Sequence, residues 1–325
     1  MSDSARDWRP TASRERLQAR AAAFHAVRRF FRDRGLLEVD TPQRVRHAVT
    51  DVQLHSVSCE PQRSQGPATF LHTSPEYAMK RLLAAGSGDI WQLCHVFRGN
   101  ERGPQHNAEF TLIEWYRLGW SMQQLMGEVA ELLVALVPSI TAAAQYQSYQ
   151  QVMQQALGID VLGASDAEIA DCAIAQGFEA DLLRRCSRDE LLDLLMGARV
   201  GPTLGRTAPC FVHSYPASQA ALARLDPDDA RVARRFELYV DGIELCNGFE
   251  ELASEGEQRA RFEADNTERE RRGLPPQRLD ESLLGALRHG LPPCAGVAMG
   301  FDRVLMLACG ARQIDEVMAF PAERA

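Results

Sequence analysis

Asp241-Gly242 separates two runs of alternating residues, 236–240 and 243–246. An Asp-Gly pair in that setting is the strongest short-range signal for a β-hairpin, because both turn positions need positive φ and these residues tolerate it. Antiparallel sheet is therefore built into the chain at this point. In a two-residue turn Val240 faces Ile243 and Tyr239 faces Glu244, so Glu237, Tyr239 and Glu244 share a face and the two carboxylates are diagonal neighbours. Such a pair is either a solvated face with incidental acids or a pair of ligands converging on a cation, for which magnesium, with its oxygen ligands, is the natural guest. Beyond the hairpin, Asn247, Phe249 and Glu251 alternate onto one face, and Gly248 offers a bulge or a close backbone approach. An amide, a ring and an acid there can hold an alkylammonium group or form an ordinary edge-strand mixture.

The remaining elements place this hairpin in an α+β frame. A helix is expected over residues 14–34, with Leu17, Ala21, Phe24, Val27 and Phe31 on one face and Gly35 as its cap. Short strands follow at 36–39 and 70–73. A helix over 75–85 starts from Ser74-Pro75. Strands at 90–97 and 110–118 flank a polar loop, 98–107, and an amphipathic helix covers 122–136. Residues of about 138–201 read as a helical insertion, with capping boxes at Ser165-x-x-Glu168 and Ser187-x-x-Glu190. A charged helix over 257–272, a strand over 296–300 and a helix over 302–308 complete the chain. Strands before and after helical stretches imply a mostly antiparallel sheet flanked by helices.

Composition removes several functional classes. Asp plus Glu outnumber Lys plus Arg by 44 to 36, and this net charge of -8 argues against sequence-independent nucleic-acid binding. The longest apolar run, 132–137, is far short of a membrane span. Residues 1–10 carry Asp3, Arg6, Asp7 and Arg9 around no apolar core, so no leader is expected. The eight cysteines form no CxxC and there is no HExxH, which disfavours zinc and fits reduced thiols in a cytoplasm.

Three further segments carry chemistry. In 110–116, Glu114 and Tyr116 share the face of Phe110, so Glu114 needs either a structural arginine or a cationic ligand. Arg98, Glu101, Arg102, His106 and Asn107 crowd the loop before that strand. A guanidinium at its base suits a phosphate or carboxylate, although an exposed polar hairpin tip has the same composition. Gly296-Val297-Ala298-Met299-Gly300-Phe301-Asp302-Arg303 spaces glycines along a strand before a helix. That pattern lets a flat ring approach the backbone while Arg303 stacks on it or reaches a phosphate, yet it lacks the third glycine of the dinucleotide fingerprint.

Taken in order, these segments resemble the class II aminoacyl-tRNA synthetases. Residues 28–42 resemble motif 1, 97–110 motif 2 and 296–307 motif 3, while Thr73-Ser74-Pro75-Glu76-Tyr77 and Glu244–Phe249 resemble the lysyl-tRNA synthetase subgroup. Motif 1 begins so near the N-terminus that an anticodon-binding domain is not expected, leaving a single catalytic domain over 1–325. The pattern is that of the free-standing paralogues that join (R)-β-lysine or lysine to a lysine of elongation factor P. The alternatives are an enzyme that charges tRNA or a small amine, and a synthetase-like regulatory subunit without catalysis.

The resemblance implies ATP and Mg2+ as cofactors, a homodimer through motif 1, a cytoplasmic location and no tRNA or membrane partner. By the same resemblance Arg98 and Arg303 are catalytic, with Arg98 on the substrate carboxylate and α-phosphate. Phe110 and Arg303 sandwich adenine, Glu101 and Asn107 recognise it, and His106 lies near the triphosphate. Glu237 and Glu244 hold magnesium, Leu245 and Gly300 are nucleotide-binding, and Ser74 and Gly300 line the amino-acid pocket by backbone approach. Ser74, Glu76, Glu114, Tyr116, Asn247, Phe249, Glu251 and Ala298 surround the amino-acid substrate. Three positions depart from the family pattern. The motif 2 loop is one residue longer, so Glu101 is chosen over Asn100; Ala108 replaces a proline; and Ala298 replaces a glycine, where its methyl would disfavour an α-amino group and tolerate a β-amino isomer.

Overall fold

The protein is described from a computed structural model, covering residues 8–60 and 68–325. Most of the stretch read for a leader, Met1–Asp7, lies outside them. The first half contains α1 (Arg14–Asp33), β1 (Leu37–Glu38), β2 (Arg44–Val45), β3 (Val57–Cys59), β4 (Thr69–Leu71), α2 (Glu76–Ala84), β5 (Ile90–Phe97), β6 (Glu109–Leu118) and α3 (Met122–Leu136). There follow β7 (Gln145–Ser148), α4 (Tyr149–Leu157), α5 (Asp166–Ala175), α6 (Ala180–Leu183), α7 (Arg188–Leu195) and β8 (Cys210–Pro216). The last part is β9 (Val232–Val240), β10 (Ile243–Glu250), α8 (Glu255–Arg271), α9 (Glu281–Gly290), β11 (Cys294–Gly300) and α10 (Phe301–Cys309).

Eight strands form one sheet in the order β1-β5-β6-β11-β10-β9-β8-β7. Only the two outer pairings, β1 with β5 and β7 with β8, are parallel. The expected mostly antiparallel α+β architecture is therefore present. Its centre is assembled from distant parts of the chain, since β11 sits between β6 and β10. Strands β2, β4 and β3 make a separate small antiparallel sheet.

Alternation gives the large sheet two different faces. Ile113, Trp115, Val297 and Met299 point toward α1, α3 and α10 and build the main core with Val27, Phe31, Leu125, Val129 and Phe301. Phe31 stacks on Trp91 with ring centroids 4.7 Å apart. A buried polar group ties this layer together. Asp302 accepts from Arg20 (2.5 Å) and from the Thr111 amide (2.6 Å), joining α10 to α1 and β6. The opposite face carries Glu114, Tyr116, Asn247, Phe249 and Ala298, and it floors a cavity instead of a helix layer.

Several expectations are refined. Ser74 does not cap α2; Pro75 is the cap residue, and the Ser74 hydroxyl accepts from the Glu76 amide at 3.3 Å. The insertion is not purely helical, because β7 adds a strand to the sheet before the four helices begin. Both expected capping boxes form, at Ser165 and Ser187, and a third occurs at Ser148. The insertion's helices pack their own apolar cluster, including Val152, Ile169, Leu192 and Leu195, against Val212 and Tyr215 of β8.

Candidate active site

The hairpin turn forms as its sequence demands, with φ of 51° at Asp241 and 74° at Gly242. Glu244 pairs with Tyr239, and the register then slips at a bulge between Glu244 and Cys246, so that Asn247 rather than Cys246 lies opposite Glu237. The bulge falls at Leu245, not at Gly248. An extra residue there keeps Glu244 and Asn247 on the same face as Glu237 despite their odd spacing. Gly248 serves the other purpose: a Cβ on it would lie 2.3 Å from the Phe236 ring.

Strand β11 supplies the floor. Ala298 lies between Asn247 on one side and Glu114 on the other, and Gly296 lies between Phe249 and Tyr116. Small residues on the middle strand, flanked by larger ones on both neighbours, make a trough. Gly296 is obligatory there, since a Cβ would stand 2.3 Å from the Tyr116 ring and 2.6 Å from Glu251 Oε1. Gly300 has no such crowding; the nearest atom to a Cβ would be Arg303 Cδ at 3.7 Å.

The trough opens into one cavity of about 770 Å³. Of the site residues expected from sequence, Ser74, Glu76, Arg98, Glu101, His106, Asn107, Phe110, Glu114, Tyr116, Glu244, Leu245, Asn247, Phe249, Glu251, Ala298, Gly300 and Arg303 all line it. Glu237 does not. It is buried behind the wall, where its carboxylate accepts from Arg235 (2.6 Å) and from the Tyr239 hydroxyl (2.6 Å). Glu244 has 42% of its side chain exposed. Enclosure raises its carboxyl pKa and Glu237 raises it further, so the pair carries an excess of negative charge. A divalent cation with oxygen ligands fits that excess, although Arg235 already satisfies part of it.

At one end of the cavity are the basic groups. Arg98 sits 5.1 Å from the Phe110 ring centre and 3.8 Å from Glu101. Asn100 takes a left-handed conformation (φ 65°) and is exposed, while Glu101 lines the cavity beside Arg98. Arg303 donates to the carbonyls of Glu244 (2.7 Å) and Gln105 (3.2 Å), and its third nitrogen meets His106 Nε2 at 2.7 Å. Burial and then the Arg303 charge hold His106 below its ordinary pKa, so its neutral ring accepts from the guanidinium. These bonds lie in the guanidinium plane and leave its faces free to stack. Asn107 is buried; it donates to the Glu109 carbonyl at 2.7 Å and accepts from the Ala322 amide at 3.2 Å, which fixes the end of the loop.

At the other end are the acids. Glu114 is 3% exposed and has no arginine partner among the described residues; the Tyr116 hydroxyl donates to it at 2.7 Å. Burial, then Glu76, push its carboxyl well above the usual range. Of the two alternatives for Glu114, the structural arginine is not present among the described residues. Sequence reasoning missed the group at the centre of this cluster. Lys80, on α2, is 1% exposed and ion-pairs with Glu76 (2.7 Å) and Glu251 (2.6 Å). A signal was available: Lys80 is the only lysine in the chain, and every other basic residue is arginine.

A cavity with guanidinium groups at one end and buried carboxylates at the other, on a mostly antiparallel sheet, is the arrangement of an amino-acid-activating domain. The chain belongs to the class II tRNA synthetases (D, K and N), whose family model matches residues 1–324. Within that family it is similar to proteins named elongation factor P–(R)-β-lysine ligase. That of Pectobacterium carotovorum (strain PC1) is 48% identical over 321 residues, covering 98% of each chain. Those of Pasteurella multocida (strain Pm70) and Klebsiella pneumoniae (strain ATCC 700721) are also 48% identical, over 98% and 100% of each chain. No helix among the described residues is long and apolar enough to cross a membrane.

Proposed function

We propose that this chain is an ATP-dependent, AMP-forming ligase of the cytoplasm that joins (R)-β-lysine, or lysine, to the ε-amine of a lysine on elongation factor P. The observation that carries the reading is the three-carboxylate cluster of Glu76, Glu114 and Glu251, in the same cavity as Arg98 and Arg303. It suits a substrate with amino groups at one end and a carboxylate at the other. The names of the relatives above support the same substrate and acceptor.

In the first step the substrate carboxylate attacks the α-phosphorus of ATP, the bond to the bridging oxygen breaks, and pyrophosphate leaves. Arg98 holds the carboxylate and α-phosphate together. Phe110 and the free face of Arg303 take the adenine between them, Glu101 and Asn107 read its edge, and neutral His106 lies beside the phosphates. Alignment of two bound reactants is worth up to ~7–11 kcal/mol in favourable cases. Glu244, the cavity-facing member of the carboxylate pair, would hold magnesium, which neutralises phosphate charge, while Glu237 behind it adds negative charge from its bonds to Arg235 and Tyr239. In the second step a neutral lysine ε-amine of the acceptor attacks the mixed anhydride, an amide forms, and AMP departs. A homodimer through motif 1, residues 28–42, goes with the family reading.

The test is intact-mass analysis of elongation factor P after incubation with ATP and each lysine isomer. One lysyl-type adduct on one lysine is expected, absent with Glu251→Ala. The enzyme's own lysine is buried, so an exposed ε-amine in the reaction belongs to the acceptor. Label on tRNA or on a small amine instead would replace the acceptor assignment. Absence of pyrophosphate exchange with any lysine isomer would mark a non-catalytic protein.

A further inference from the structure

Lys80 is a fixed ammonium in a pocket proposed to receive ammonium groups. Each of its carboxylate partners gives it one oxygen: Glu76 Oε1 at 2.7 Å and Glu251 Oε2 at 2.6 Å. The other oxygen of Glu251 hangs over the floor, 2.6 Å from where a Cβ on Gly296 would be. Glu251 therefore divides between a resident cation and the space a substrate would fill. The third carboxylate, Glu114 on β6, lines the same cavity with Tyr116 as its donor; it is not ion-paired with Lys80 but feels the charges of Glu76, Glu251 and Lys80. The Cys294 thiol also feels both Lys80 and Glu251. In a chain that otherwise uses arginine for every basic side chain, lysine stands at the one place where a compact point charge with three donors is required.

We infer that Lys80 is a positioning residue whose ammonium permanently occupies one place in a three-carboxylate lattice, and so fixes at two the number of further ammonium groups the pocket accepts. This rests on the functional reading above and deepens it: the substrate class is set as diamino acids by a charge count. Three carboxylates in one pocket, two of them paired with one resident ammonium, are matched by a substrate with two. An amino acid with one ammonium leaves a buried carboxylate unmatched, and that carboxylate must keep a proton. Burial pulls Lys80 toward neutrality, but Glu251 and Glu76 together overcome it and hold its pKa above the ordinary value, so the resident charge persists. Burial pushes Glu251 up to about 7 despite Lys80, and burial with Glu76 raises Glu114 as well, so the empty lattice stores a proton that a second substrate ammonium displaces.

Two measurements test this on the whole protein. In the first, calorimetry in buffers of different ionisation enthalpy counts protons released at neutral pH by (R)-β-lysine and by 6-aminohexanoate, which has a single ammonium. About one more proton is expected with the diamine; equal counts overturn the inference. In the second, Lys80→Met is assayed by pyrophosphate exchange across pH. Its KM for (R)-β-lysine should rise at least about tenfold at neutral pH. Its kcat should stay within about threefold, and the pH at which KM levels off should move up by at least about one unit, because Glu76 and Glu251 then repel each other. A variant with the wild-type KM and pH profile, or one that loses kcat alone, refutes the role. If the variant does not fold, the proton count on the wild-type protein still decides. Wild-type protein that exchanges no lysine isomer would sink the functional reading itself, a result separate from either outcome for Lys80.

Discussion

Replacing Gly296 with alanine tests whether the trough on β11 is the substrate floor. The added methyl would lie 2.3–2.4 Å from the Tyr116 ring and 2.6 Å from Glu251 Oε1. Neither neighbour moves freely: Tyr116 is 2% and Glu251 5% exposed, and each is bonded within the acidic cluster. Overpacking of a filled interior costs about 1–3 kcal/mol. With an unfolding entropy of ~2.1 cal/mol/K per residue, that lowers the melting temperature of a chain this long by roughly 1.5–5 °C. Relief by swinging Tyr116 aside breaks its bond to Glu114, and moving Glu251 breaks its ion pair with Lys80; a loss of about 1.5–3 kcal/mol is equivalent to a KM for the lysine isomer roughly 10- to 150-fold higher. The assay is pyrophosphate exchange alongside a melting curve, with Gly285→Ala on α9 as control, where an added Cβ meets nothing within 4 Å, the position is outside the cavity lining and KM is expected unchanged. A Gly296→Ala protein with wild-type melting and wild-type KM would refute the floor assignment.

Three other outcomes follow from the same geometry. Ala298→Gly, which removes the methyl between Glu114 and Asn247, should raise activity with α-lysine relative to β-lysine in the exchange assay; an unchanged preference removes the role given to that methyl. Glu251, with its pKa near 7, should make substrate binding weaken as pH falls through that value. The unfolded carboxyl titrates near ~4.3, so between there and 7 the folded state binds more protons, and this group's contribution to the stability of the empty fold falls as pH rises. A lysine isomer should accordingly raise the melting temperature more at pH 8 than at pH 6, and equal shifts would count against the assignment. Glu128→Gln removes a buried carboxylate that accepts from Arg117 Nε and Trp115 Nε1, both at 3.0 Å. Breaking that network should destabilise the fold by about 3–5 kcal/mol in denaturant titration while leaving KM for lysine near wild type at low temperature.

The local elements were readable because their signals are local. The Asp-Gly turn, the capping boxes and the 3.6-residue spacing of α1 and α3 each act within a few residues, and the structure has them where the sequence places them. The bulge at Leu245 left no such mark, because an extra residue in a strand is chosen by what the partner strand presents. Strand β8 and helix α9 were not read at all; their apolar residues, such as Phe211 and Leu284, are buried by elements far away in the chain.

By itself, then, the chain's order of residues determined which side chains share a face. Alternation puts Glu114 with Tyr116 and Ala298 with Gly300, and a motif resemblance names their chemistry. Only the tertiary structure decided that these faces meet. The insertion of β11 between β6 and β10 turns two separate rows into one trough, and α2 laid over it brings Lys80 among three acids. The physical reason is range: backbone periodicity and turn chemistry act over neighbouring residues, whereas strand order and buried charge pairing join distant groups, 171 positions apart for Lys80 and Glu251 and 282 for Arg20 and Asp302.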